Sequence, residues 1–168
     1  SNATACPIPE GLLHDHFLVA AQQYPDDTAL VHEGEALTYR EVEARALAVA
    51  NALRLKHIGI SEPVALIFDK GWEQHVAALA TLMAGGCYVP IDASLPLDRI
   101  NAYILQSGIR IAIIADNLMN QEHFGKLGIE ADNQIPINLT VQQVNPLVPV
   151  VSAAEDDMPA YIIFTSGS

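Results

Sequence analysis

The amino-acid sequence predicts an α/β fold, doubly wound, with a mainly parallel sheet flanked by helices. Short, uninterrupted apolar runs recur at Val64 to Phe68, Cys87 to Pro90 and Ile109 to Ala115, the pattern of strands buried on both faces. Segments of helical periodicity lie between them, Trp72 to Met83 and then from Ser94 and Pro96 to Gly108, and each connection is short. A strand–helix–strand–helix–strand order of this kind implies parallel pairing through right-handed crossovers. The chain has 168 residues, 51% of them apolar and 17% charged, which suits one domain whose core needs no staples.

The first element expected is a helix from Leu12 to Tyr24, with Leu13, Phe17, Val19 and Ala20 approximating one face and Pro25 enforcing its stop. Thr28 to His32 reads as a strand and Glu33-Gly34-Glu35 as a tight turn into Ala36-Leu37, together a small hairpin. Thr38, followed three residues later by Glu41, is a capping-box pattern. Val42, Ala46, Val49, Ala50 and Leu53 then recur at helical spacing, and Arg54, Lys56 and Gly59 close that helix near Leu55. In the next helix Val76, Leu79, Leu82 and Met83 face inward, and Gly85-Gly86 end it. In the one after, Ile100, Tyr103, Ile104 and Leu105 are read along the helix up to Gly108. Beyond Ala115 the periodicity weakens: Met119 to Leu127 reads as a helix, Ile135 to Leu139 as a strand, and Gln142 to Pro159 as a surface connection. One more buried strand follows, Ala160 to Phe164, with Thr165-Ser166-Gly167-Ser168 directly after it.

Lys plus Arg is 8 against 20 for Asp plus Glu, a formal net charge of -12 at pH 7. An acidic surface repels phosphate backbones and anionic headgroups, so neither nucleic acid nor a membrane surface is expected as a partner. The uncharged, apolar stretch His75 to Ile91 is broken by Gly85-Gly86 and Pro90 and falls short of the roughly 20 apolar residues of a bilayer span. Cys6 and Cys87 form no C-x-x-C, and a reducing, cytoplasmic compartment is expected. Ser1 to Ala3 read as the scar of a cleaved expression tag, leaving 4–168 for fold reasoning. His14 and His16 beside Asp15 point to different sides of a helix, so a solvated surface is the preferred reading over a metal site. Asn138-Leu139-Thr140 matches the glycosylation sequon, by chance in a cytoplasmic chain. No G-x-G-x-x-G, G-x-x-x-x-G-K-[ST] or nucleophile elbow occurs.

The segment most suggestive of chemistry is Thr165-Ser166-Gly167-Ser168. Hydroxyls and a glycine directly after a parallel strand lie at the carboxyl edge of the sheet, where α/β folds bind ligands. Glycine lets the backbone turn its N–H groups toward an anion, and Thr and Ser side chains add neutral donors. Taken alone, such a loop is more often just a turn. Its context is more specific. Leu37-Thr38-Tyr39-Arg40-Glu41, then Leu82-Met83-Ala84-Gly85-Gly86-Cys87-Tyr88-Val89-Pro90-Ile91-Asp92, then Ala160-Tyr161-Ile162-Ile163-Phe164-Thr165-Ser166-Gly167-Ser168 stand in a particular order and spacing. On these segments the chain resembles amino-acid adenylation domains of nonribosomal peptide synthetases. The three are similar to that family's L-T-Y-x-E-L signature, its L-x-A-G-x-x-Y-V-P-[IL]-D signature and the start of its phosphate loop. Asp69-Lys70-Gly71-Trp72-Glu73-Gln74 and Leu95-Pro96-Leu97-Asp98-Arg99-Ile100 also look like the family, so the resemblance runs from about Leu12 to Ser168. Met83 stands where that pattern commonly has Lys, and Cys87 where it usually has Ala.

The resemblance implies an ATP-dependent ligase. An amino-acid carboxylate attacks the α-phosphate of Mg-ATP to give aminoacyl-AMP and pyrophosphate, and a phosphopantetheine thiol on a carrier domain then takes the acyl group. It implies that Thr165, Ser166, Gly167 and Ser168 hold the β- and γ-phosphates, with ATP, Mg2+ and the carrier's phosphopantetheine as cofactors. The implied partners are an amino acid and the carrier and condensation or cyclisation domains of the same synthetase. The segment is then the N-terminal part of the large subdomain, ending inside the phosphate loop and silent by itself, with no catalytic residue and no metal ligand assigned within it. Thr38, Gly85, Gly86, Tyr88, Pro90 and Asp92 are read as structural: a cap, a helix end, a packed and stiffened turn, and bonds to nearby amides. Two alternatives stay open: a non-enzymatic ligand- or partner-binding α/β module, and a fragment of an acyl-CoA synthetase.

Overall fold

Two sheets organise the chain in the computed structural model, which describes residues 12–32, 34–69, 71–138 and 164–165. The elements in order are α1 (Leu12–Gln23), β1 (Thr28–His32), β2 (Glu35–Thr38), α2 (Tyr39–Leu55), β3 (Pro63–Phe68), α3 (Glu73–Met83), β4 (Cys87–Asp92), α4 (Leu97–Ser107), β5 (Ala112–Ile114), α5 (Asp116–Met119), β6 (Gln134–Pro136) and β7 (Phe164–Thr165).

The larger sheet has the order β4-β3-β5-β6 and every pair in it is parallel. From β3 the chain winds outward to β4, then returns to lay β5 on the other side of β3, so the direction of winding reverses between β3 and β5. Side chains alternate across a strand, and β3 serves two cores accordingly. Val64, Leu66 and Phe68 pack with Val76, Leu79 and Met83 of α3, while Ala65 and Ile67 pack with Ile100 and Ile104 of α4. Helices therefore cover both faces, the doubly wound arrangement that the apolar runs predict. The smaller sheet has the order β2-β1-β7, with β1 antiparallel to β2 and parallel to β7. Ala29 and Leu30 of β1 join Phe17, Val42 and Val49 in the core on the α3 side.

Local chemistry accounts for the elements that match expectation. The Thr38 hydroxyl accepts from the Glu41 amide at 3.1 Å, and the Thr38 amide donates to Glu41 Oε1 at 2.9 Å. This reciprocal cap starts α2, and losing such a cap costs about 1 kcal/mol. Gly85, at φ +89, reverses the chain after α3, a conformation that side-chain-bearing residues rarely adopt.

Several expectations are corrected. Val19 is 51% exposed; the inward face of α1 is His14, Phe17 and Ala21, set by the helical spacing of those three. The helix expected up to Gly108 forms as α4, where Ile100 and Ile104, one turn apart, are buried and Tyr103 and Leu105 project outward, Leu105 84% exposed. Between 116 and 127 the buried residues Leu118, Phe124 and Leu127 do not keep one helical stripe, and the chain forms the single turn α5 and a 3-10 segment, Glu122–Lys126. The terminal strand, described at Phe164 and Thr165, belongs to the smaller sheet and not to the wound one. An apolar run signals a buried strand without saying beside which strand it lies. Pro90 is no turn residue: it sits exposed within β4, an edge strand, where a missing N–H leaves no ladder bond broken. Cys87 is buried. The surface connection expected at 142–159, and Ser1 to Ala3, lie outside the described residues.

Candidate functional site

In open α/β sheets ligands bind beyond the carboxyl ends of the strands, where the winding reverses. Here that place lies between the ends of β3 and β5. The chain leaving β3 turns at Gly71, which is buried with φ +132, and so presents Trp72 just before α3 begins. The half-buried Trp72 donates its Nε1–H to Glu35 Oε1 at 2.7 Å. The Arg45 guanidinium of α2 lies over its ring, 4.9 Å from the centroid, within the range of a cation–π contact. Arg45 also donates from Nη1 to Asn138 Oδ1 at 3.5 Å, and the Asn138 amide donates to Asp116 Oδ1 at 3.2 Å. Asp116 follows β5 and Asn138 follows β6. Side chains placed after three parallel strands thus knit together at one rim.

Glu35 carries that rim to the smaller sheet, since it pairs with His32 at the end of β1. Thr165 pairs in parallel with Val31 of β1, so β7 ends at the same rim, two strand spacings, or about 10 Å, from the strand of Glu35. Of the four residues expected to bind phosphate, Thr165 is placed here by its backbone. Ser166, Gly167 and Ser168 lie outside the described residues. The sequence reading missed Glu35, Arg45 and Trp72. The available signal was the chain's single Trp inside Asp69 to Gln74, but nothing local pairs it with a helix and a hairpin elsewhere.

Asp92, at the end of β4, accepts from the Ser94 amide at 2.9 Å and the Ser94 hydroxyl at 2.8 Å, a bond to a nearby amide as expected. Tyr88 is half-buried, and burial raises its phenol above the ordinary value. His14 is a correction: it is 2% exposed and packed inward, not solvated. Burial pushes its imidazole below the ordinary value; Asp15, 3.5 Å from Nε2, opposes this and Arg54 adds to it. Arg54 in turn donates to the Met83 carbonyl at 3.1 Å, near the end of α3. Among the described residues no group of three or more His, Cys, Asp or Glu converges as a metal site. A cavity of about 320 Å³, lined by Asn101, Ile104, Leu105, Gly108, Ile109 and Gly128, opens toward the amino ends of β5 and β6, away from the rim just described.

A family model described as AMP-binding enzyme matches residues 17–168. The chain is 34% identical to surfactin synthase subunit 2 of Bacillus subtilis, over 99% of this chain and 4% of that protein. It is 37% identical to N-(5-amino-5-carboxypentanoyl)-L-cysteinyl-D-valine synthase of Penicillium rubens, again over 99% of this chain and 4% of that protein. Among solved structures it is similar to the nonribosomal peptide synthetase FmoA3 with α-methyl-L-serine-AMP bound, at 30% identity and a TM-score of 0.73, covering 90% of this chain and 16% of that one. The chain thus spans a small part of the length of the relatives it matches.

Proposed function

Because the chain belongs to the AMP-binding enzyme family, we propose that the protein carrying it activates an amino acid with ATP as part of a nonribosomal peptide synthetase. Residues 4–168 supply the N-terminal part of the adenylating unit. The amino-acid carboxylate attacks the α-phosphate of ATP, the bond to pyrophosphate breaks, and aminoacyl-AMP forms. A phosphopantetheine thiol on a carrier domain then displaces AMP, and a condensation or cyclisation domain uses the product. This chemistry needs stabilisation of charge on phosphate oxygens more than a protein nucleophile. Thr165, Ser166, Gly167 and Ser168 provide hydroxyl and amide donors to the β- and γ-phosphates. Mg2+ bound with the nucleotide would supply neutralisation of the phosphate charge.

The observation that carries this reading is the parallel pairing of β7 with β1, which starts the hydroxyl- and glycine-bearing run at the carboxyl end of a strand. No described helix is long and apolar enough to cross a membrane, and a cytoplasmic setting is proposed on the ground that ATP is the substrate. The test is ATP–pyrophosphate exchange by the longest natural chain that carries this segment, run against a panel of amino acids. Exchange with one amino acid or a narrow set is expected. Gly167→Val in that chain should lower exchange at least about tenfold, since a side chain there blocks close approach of backbone donors to phosphate. A folded wild-type chain that exchanges with no amino acid and no other carboxylate overturns the reading.

A further inference from the structure

We infer that Trp72, held by Glu35 and Arg45, is a positioning residue that sets where the strand ending at Thr165 meets the carboxyl rim of the larger sheet. The functional half of this inference rests on the adenylating reading above; the structural half rests on geometry alone. Trp72 belongs to the turn that leaves β3 of the larger sheet, and Glu35 to β2 of the smaller one. Their bond is therefore a tie between sheets, made at the end where β1 and β7 also finish. The core beneath the two sheets is apolar, and Leu30 of β1 belongs to the same buried cluster as Leu66, Phe68 and Val76. Apolar burial is non-directional and does not by itself fix the angle at which one sheet meets another. A 2.7 Å bond from an indole N–H to a side-chain oxygen supplies that direction, because a hydrogen bond is short-ranged and directional.

Arg45 adds a second direction. Its guanidinium covers the face of the same ring, and its reach to Asn138 and on to Asp116 joins the turns after β5 and β6 to the tie. Gly71 completes the device, since its φ of +132 lets the chain turn directly before Trp72. The effect of this network is exerted through β1 onto β7, and so onto the place where Thr165 begins the phosphate-binding run. A displacement of about 1 Å at such a place is enough to weaken catalysis strongly.

The tie is tested in the longest natural chain carrying the segment, by kinetics and by amide hydrogen exchange. Trp72→Phe keeps a ring beneath Arg45 and removes the N–H; it is expected to raise the KM for ATP about tenfold, with the KM for the amino acid unchanged. Glu35→Ala should give the same shift, and Glu35→Gln, which keeps an acceptor oxygen, should stay within about twofold of wild type. The double variant Trp72→Phe/Glu35→Ala should be no worse than either single one, since both remove the same bond. Exchange in the peptide spanning Phe164 to Ser168 should quicken in Trp72→Phe while peptides of β4 keep their protection. Unchanged exchange in that peptide overturns the tie, as does an equal rise in KM for both substrates. A wild type that exchanges pyrophosphate with no amino acid removes the adenylating reading instead, and the hydrogen-exchange comparison still decides the tie. Should Trp72→Phe fail to fold, the contrast between Glu35→Gln and Glu35→Ala carries the same decision.

Discussion

A Cβ placed on Gly86 would lie 3.1 Å from Ile58 Cδ1 and Thr81 Cγ2, and 3.2 Å from the Glu62 carbonyl oxygen. The two methyl groups can give way by a few tenths of an ångström. The carbonyl oxygen has less freedom, because it accepts the Cys87 amide at 2.8 Å. Gly86→Ala is therefore expected to destabilise the chain by about 1–3 kcal/mol through overpacking, read as a lower urea midpoint at an unchanged slope. A wild-type midpoint would show that the turn relaxes freely. The same three contacts explain why the second glycine of Ala84-Gly85-Gly86-Cys87 matters without any ligand. It lets the chain pass between α3 and the loop before β3 on its way into β4.

Helix α1 carries the next prediction, because its inward face includes an imidazole. Folded His14 has its proton affinity lowered, first by burial, with Arg54 adding and Asp15 opposing. The unfolded chain takes up the His14 proton as pH falls through about 6.5, while the folded chain takes it up only at lower pH. The unfolded state then holds more protons, so stability rises with pH in that window and is lost as pH falls from about 6.5 toward the folded value. Urea midpoints measured between pH 7.5 and 5 should decline in wild type and decline less in His14→Leu. Equal slopes in the two proteins would refute the assignment. This helix also shows what was legible. A helix was evident from Phe17 and Pro25, but a stripe that runs His14, Phe17, Ala21 breaks the expectation that inward means apolar, and Val19 was assigned inward in its place. Helix α2 was legible to within a residue because its cap and all five of its spaced apolar residues are local features. At the rim, a strand near Phe164 was legible for the same reason, and Phe164 and Thr165 pair with β1. The bond from Trp72 to Glu35 was not, since it joins residues 37 apart that only the meeting of two sheets brings together.

At the scale of the whole molecule, β3 makes the two cores one. Its side chains alternate between the cluster under α2 and α3 and the cluster under α4, so neither face can lose its packing without exposing the other side of the same strand. Unfolding is therefore expected as a single transition even though the clusters share no helix. Ile104→Ala offers the sharpest test, because Ile104 is buried on the α4 face while Trp72 packs against the cluster on the opposite one. Removing that side chain should cost about 2–5 kcal/mol. With one Trp in the chain, fluorescence reports the far face alone and far-UV circular dichroism reports all elements together. If β3 couples the faces, both signals move to the same lower midpoint in Ile104→Ala. If fluorescence keeps its wild-type midpoint while circular dichroism shifts, the α4 layer melts by itself. The rim at the carboxyl ends would then be supported from one side only.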